Sequence, residues 1–232
     1  MLMAITMTVA TAEITGNVGL TTDYRFRGVS QTQNALAVQG GVDYAHVSGF
    51  YAGTWNSSVS SQLYTSGSGV ENDIYFGYKR ELPRGITVDV GSMNYYYPRA
   101  VNGTTTDFNT NEVYLGAGLG EMITARYSYA LSNYFGAADS KNSSYFQIDS
   151  VVPLNGKLKL VSHIGRTNVN NYAGLNYTDY NVGVSYNLNG WDVAVRYYDN
   201  INQGSGYQAA NTVGGQQLYR NTGVLALTRS FN

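Results

Sequence analysis

The sequence predicts an all-β fold, a single twelve-stranded antiparallel transmembrane β-barrel, and three observations carry that reading. Apolar and polar side chains alternate with period two along most of the chain, the mark of strands whose two faces meet different solvents. Charged residues make up 12% of the 232 positions, against about 25% in an ordinary soluble domain, yet no apolar run reaches the roughly eighteen residues of a membrane helix. Tight-turn signals recur at regular spacing, with a long polar segment and two strand patterns between each consecutive pair.

The alternation places strands at residues 14–27, 35–46, 50–59, 71–81, 86–97, 111–119, 122–134, 144–152, 157–166, 177–188, 191–199 and 221–231. The first lies in NVGLTTDYRFRGVSQT at 17–32, with Val18, Leu20, Thr22, Tyr24 and Phe26 on one face and Asp23, Arg25 and Arg27 on the other, until Gly28 breaks the pattern. Ser48-Gly49, Pro83-Arg84-Gly85, Leu119-Gly120-Glu121, Asn155-Gly156 and Asn189-Gly190 read as tight turns. The two Asn-Gly pairs suit type I′ turns, in which both central residues need positive φ. The other six connections are long and rich in Ser, Thr, Asn and Gly, as in SQLYTSGSG at 61–69, RAVNGTTTD at 99–107 and the stretch 200–220. Six long and five short connections, strictly alternating, suit an even barrel with short periplasmic turns and long extracellular loops.

In the later strands Ile74, Phe76 and Tyr78 oppose Asp73, Tyr75, Gly77 and Lys79, and Tyr180, Val182, Val184 and Tyr186 oppose Asp179, Asn181, Gly183 and Ser185. Alternation alone does not say which face is inside. Lipid outside is favoured by aromatics near strand ends on the apolar face, namely Tyr24, Phe26, Tyr44, Tyr51, Trp55, Tyr78, Tyr96, Tyr129, Trp191 and Tyr197, as interfacial girdles require. The chain ends GVLALTRSFN, similar to the aromatic-ended strand by which the barrel-assembly machinery recognises its clients, with Asn232 one residue beyond the aromatic. Arg229, nominally on the outer face, has to sit near an interface where its head can snorkel.

The first twelve residues, MLMAITMTVATA, are apolar and end Ala10-Thr11-Ala12, a small-x-small pattern that predicts the remnant of a secretory signal peptide over 1–12 ahead of a barrel over 13–232.

GFYAGTWNSSV at 49–59 and MNYYYP at 93–98, together with the first-strand run, give the chain a resemblance to the TorF family of porin-like proteins of the proteobacterial outer membrane. The resemblance implies a barrel in the outer membrane of a Gram-negative cell more firmly than it implies a solute.

The inward face predicted by alternation collects Asp23, Arg25, Arg27, Asp43, Asp73, Lys79, Asp89, Glu112, Arg126, Asp149, Lys159, Asp179, Asp192 and Arg196. These are the pore-lining candidates of a water-filled lumen that filters by charge and size, or else ion pairs bracing a narrow barrel. Arg25 and Arg27 fall on one face of the first strand, where Asp43 or Asp73 would answer them. The function expected is passive diffusion of small hydrophilic solutes or ions. The alternative is a closed barrel whose loops bind a ligand or partner.

Other classes have little support. With 14 basic against 15 acidic residues and no basic cluster, the chain offers no field for nucleic acid. The absence of Cys removes thiolate metal sites and cysteine nucleophiles. Of two histidines, His46 sits by a turn, and His163 follows Ser162, which a strand turns to the opposite face; no enzyme, cofactor or metal site is expected. The partners implied are outer-membrane lipid, small hydrophilic solutes and the assembly machinery, and nothing in the sequence sets an oligomeric state.

Overall fold

The computed structural model of the protein describes residues 12–103, 106–120 and 122–232. The expected leader, apart from Ala12, and Glu121 of the third tight turn lie outside the described residues. Twelve strands form one closed barrel: β1 (Glu13–Thr21), β2 (Ala37–Ala45), β3 (Phe50–Ser58), β4 (Val70–Leu82), β5 (Ile86–Tyr96), β6 (Thr110–Leu119), β7 (Ile123–Ala130), β8 (Ser144–Pro153), β9 (Leu158–Asn168), β10 (Tyr177–Leu188), β11 (Trp191–Ile201) and β12 (Thr222–Phe231).

Each strand pairs antiparallel with its neighbours in the chain, and β12 closes on β1 through the register Gly16↔Phe231 to Thr21↔Ala226. Closure gives every strand two partners and leaves no edge, the condition a β structure must meet in hydrocarbon, where no water can satisfy a bare N–H or C=O. The five short connections, 46–49, 83–85, 120–122, 154–157 and 189–190, gather at one end, and the six long ones at the other. Asn189 and Gly190 take φ of 52° and 87°, the paired positive values of a type I′ turn. Asn155-Gly156 departs from that expectation: the Asn155 side chain accepts the N–H groups of Lys157 and Leu158 and so turns the chain without the I′ backbone.

The apolar face points outward. Val18, Leu20, Ile74, Phe76, Val182, Val184 and Val195 are all exposed, Ile74 and Phe76 by 58% and 56%. A belt of this kind around a closed barrel is stable only against an apolar surrounding, which fixes the outside as the lipid side. Arg229 lies on this face with its guanidinium 5.5 Å from the Trp191 ring centroid, at the short-turn end, where it can reach the interface.

The first strand is shorter than alternation predicts. β1 ends at Thr21, level with Ala37 of β2 and Ala226 of β12, and the chain then leaves the wall. Tyr24 and Phe26 are therefore not girdle residues, and Tyr51 and Trp55 are not either, because their side chains take the inner face of β3. Tyr24 is 3% exposed and stacks edge-on against Trp55 at 5.2 Å, Phe26 packs against Tyr95, and Tyr51 is buried on the inner face. Tyr44, Tyr96 and Tyr197 are exposed as expected.

Val182 sits mid-strand on the outer face of β10. Val182→Arg should destabilise the inserted barrel by about 2–4 kcal/mol, measured by reversible unfolding from lipid vesicles, with Val182→Leu close to neutral. Equal stability of the Arg and Leu variants would contradict the lipid-facing assignment.

Candidate functional site

The inner faces of the strands carry most of the predicted charges, and the structure groups them. Toward the short turns, Asp89 accepts the Tyr51 hydroxyl at 2.6 Å and Arg126 Nη2 at 3.0 Å, while the Arg126 guanidinium lies 4.2 Å from the Tyr114 ring centroid. Lys79 is level with Asp89 on the neighbouring strand. Asp43 accepts the Tyr75 hydroxyl at 2.5 Å. Lys159 and Asp192 stand exposed near the short-turn rim, and Arg196 reaches Asn181. On the opposite wall His163 bridges two carboxylates, Asp149 at 2.7 Å from Nδ1 and Asp179 at 3.0 Å from Nε2, with the Tyr145 hydroxyl also 2.8 Å from Nε2. His163 is thus a hydrogen-bonded lumen residue.

The largest departure from the sequence reading is at 22–34. Asp23, Arg25 and Arg27 are not wall residues. After Thr21 the chain folds into the lumen, makes a minimal hairpin of Arg25–Phe26 with Val29–Ser30, and returns to start β2. Asp23 organises the near side: one carboxylate oxygen accepts the Ser30 and Thr32 hydroxyls and the other takes Arg25 Nε at 2.6 Å. Arg25 spends its remaining donors on the carbonyls of Gly28, Leu218 and Arg220 and on Asn34 Oδ1. It is tied to its own segment and to the final long connection, and neither Asp43 nor Asp73 pairs with it.

Arg27 reaches across the lumen. Its two Nη atoms bind the two oxygens of Glu112 on β6 at 2.9 and 2.7 Å, the fork geometry that makes Arg–carboxylate pairs strong. Nη1 also donates to the Tyr134 hydroxyl at 2.9 Å, and the guanidinium plane lies 4.1 Å from the Tyr145 ring centroid. The turn that aims it requires left-handed backbone at Arg27 and Gly28, with φ of 48° and 78°. A Cβ on Gly28 would meet Asn200 Oδ1 at 2.0 Å and Asp179 Cβ at 2.6 Å, so glycine is needed there for space as well as for φ.

Aromatic packing completes the closure. Phe26 contacts Tyr95 and Phe135, and Tyr64 stacks on Tyr97 with ring centroids 4.2 Å apart. Burial, reinforced by the charge of Glu71, raises the Tyr64 phenol well above its ordinary value; it stays protonated and donates to Gln31 of the in-folded segment. Glu71 was not among the predicted site residues, although it lies two positions before Asp73 and so shares its inward face. Tyr97, Tyr134 and Tyr145 were also missed, because buried tyrosines in a tyrosine-rich chain carry no spacing signal.

A closed antiparallel barrel with an apolar outer belt and a charged interior is an outer-membrane β-barrel. The chain belongs to the Gcw_chp family, described as bacterial proteins of unknown function, whose model matches residues 7–231; the TorF name is not part of that match. No curated protein matches the chain. Among solved structures it is similar to the KdgM porin, with a TM-score of 0.58 at 9% identity over 94% of this chain and 99% of that one. It is similar also to the NanC porin, with 0.55 at 11% identity over 95% and 100%, and to a mutant of the TodX monoaromatic hydrocarbon channel, with 0.52 at 10% over 95% and 89%. At these identities the likeness is one of fold.

Arg27→Met should cost about 3–5 kcal/mol, because it leaves Glu112, 1% exposed, without its partner. Adding Glu112→Gln should recover part of that loss. Urea unfolding in lipid vesicles, followed by the fluorescence of Trp55 and Trp191, tests this as a double-mutant cycle; strictly additive losses would dissolve the pairing.

Proposed function

We propose that the chain is an outer-membrane channel for small hydrophilic solutes or ions, with the in-folded segment 22–34 as its constriction. The carrying observation is the continuity of the polar inner face. It runs from Lys159 and Asp192 at the short-turn rim, past Asp89 with Arg126 and Asp149 with His163, to Glu112 and Asp179 beneath the long connections. Pairing offsets the desolvation of the deeper charges, water meets the exposed Lys159 and Asp192 at the rim, and a charged lumen that holds water passes what fits it. The oligogalacturonate in one KdgM porin structure is a precedent for solute in a barrel of this fold, and no more than that. Export of the chain through a signal remnant at 1–12, and insertion by the assembly machinery reading the strand that ends at Phe231, belong to the same proposal.

A second reading, a closed barrel whose long connections bind a ligand or partner, is favoured by the segment itself, which contacts the wall from Trp55 on β3 to Asn200 on β11.

Planar-bilayer recording separates the two. The parent protein should give reproducible small open steps, and Arg27→Met/Glu112→Gln, which frees the segment from the far wall, should give larger or longer ones. Silence from both proteins, each shown to be folded, would support the closed barrel.

A further inference from the structure

Not every buried carboxylate in the long-loop half of the lumen has a cationic partner among the described residues. Asp23 is matched by Arg25, Glu112 by Arg27, and Asp179 by His163 and Tyr145. Glu71 and Asp73, successive inward residues at the start of β4, have no such partner among the described residues. Glu71 is 0% exposed and neither of its carboxylate oxygens has a hydrogen-bond partner; Asp73 Oδ1 is likewise buried and unpartnered. No ion pair among the described residues involves either. Buried carboxylates are ordinarily paired or hydrogen-bonded, since an isolated one costs several kcal/mol in desolvation.

A third orphan lies beside them. The Tyr97 hydroxyl belongs to a residue 1% exposed and has no hydrogen-bond partner, and Tyr97 directly follows Tyr96, which is level with Asn72, the residue after Glu71, on the neighbouring strand. Tyr24 and Tyr64 flank the same carboxylate, and Ser57 stands opposite Glu71 on β3. Glu71, Asp73, Ser57 and the three tyrosines all offer oxygen.

We propose that Glu71 and Asp73, with the Tyr97 hydroxyl, bind a hard divalent cation, Ca2+ fitting best, beneath the long-loop end of the lumen. Two carboxylates supply the charge that a divalent ion needs, and oxygen-only ligation selects Ca2+ or Mg2+ over zinc or copper. Side chains two apart on a strand have Cα atoms about 6.7 Å apart, a span that one ion at roughly 2.4 Å from each carboxylate can bridge. Mg2+ demands a tighter octahedron than a strand and a loop residue readily provide. The site is independent of conduction: an ion here would tie β4 to the connection after β5 in an open or a closed barrel. The competing arrangement is a single proton shared by the two carboxylates.

The test uses the full-length protein in detergent micelles, with Tb3+ as a luminescent stand-in for Ca2+ excited through the surrounding tyrosines. Saturable sensitised emission that Ca2+ displaces is expected, with apparent affinity weakened at least about tenfold in Glu71→Gln and Asp73→Asn and unchanged in the rim variant Asp192→Asn. Should either lumen variant fail to fold, as judged by heat-dependent gel mobility, the parent still decides, because Ca2+ should raise its thermal midpoint above that in chelator. Emission indifferent to Ca2+, equal emission in a folded Glu71→Gln protein, or a midpoint that Ca2+ does not move would overturn the site in favour of the shared proton.

Discussion

The Arg27–Glu112 pair is the interaction on which the interior of this barrel depends. A guanidinium carried into the lumen has to find a carboxylate, and the one that receives it lies on β6, far around the wall from β1, with Tyr134 and Tyr145 completing the enclosure. Arg27 can reach that place only if the chain leaves the wall after Thr21, and the left-handed turn at Arg27 and Gly28 follows from the same demand. Once the segment crosses, Tyr24 and Phe26 travel inward with it and find Trp55, Tyr95 and Phe135, so that aromatic packing shares the work of holding it.

The wall supplies the frame in which that crossing makes sense. Twelve strands closed through β12 and β1 satisfy the backbone internally, which leaves the inner side chains free to be polar. They then pair locally: tyrosine hydroxyls cap Asp43 and Asp89, and His163 sits between two carboxylates. Eight-stranded barrels are filled by their own side chains and sixteen-stranded ones hold an aqueous channel. A twelve-stranded wall leaves an intermediate bore, narrow enough for one in-folded hairpin to cross.

The wall was legible in the sequence because its pattern is set by two solvents acting on a period of two, and that pattern repeats from Ile74 and Phe76 to Val182 and Val184. The segment was not legible, because alternation continues through Thr22, Asp23, Tyr24, Arg25, Phe26 and Arg27 although the ladder has ended. Period two registers which residues share a face, but it does not register where a partner strand stops. A strand running to Arg27 would overshoot its pairing with β2 by six residues, and only the partner's boundary, with Gly28 and the hydroxyl-rich SQT that follows, hints at a turn inward. Tyr51 and Trp55 depart from expectation for a different reason: Phe50–Ser58 holds no charge to mark its inner face, and one misplaced parity moves every ring to the wrong side. Parity relates the charges that share the inner face of one strand. Their partners were not legible, since these come from strands and connections that sequence spacing does not relate.

Amide hydrogen exchange of the folded protein tests the in-folded segment most directly. The N–H groups of Tyr24, Ser30 and Gln31 donate to Thr32 Oγ1, the Leu218 carbonyl and the Tyr24 carbonyl at 3.2, 2.8 and 2.8 Å. The peptide spanning 22–34 should therefore exchange slowly, on the scale of the neighbouring strand β1. Exchange of that peptide as fast as an unpaired surface loop, in a barrel whose strands remain protected, would mean that the segment does not lie in the lumen.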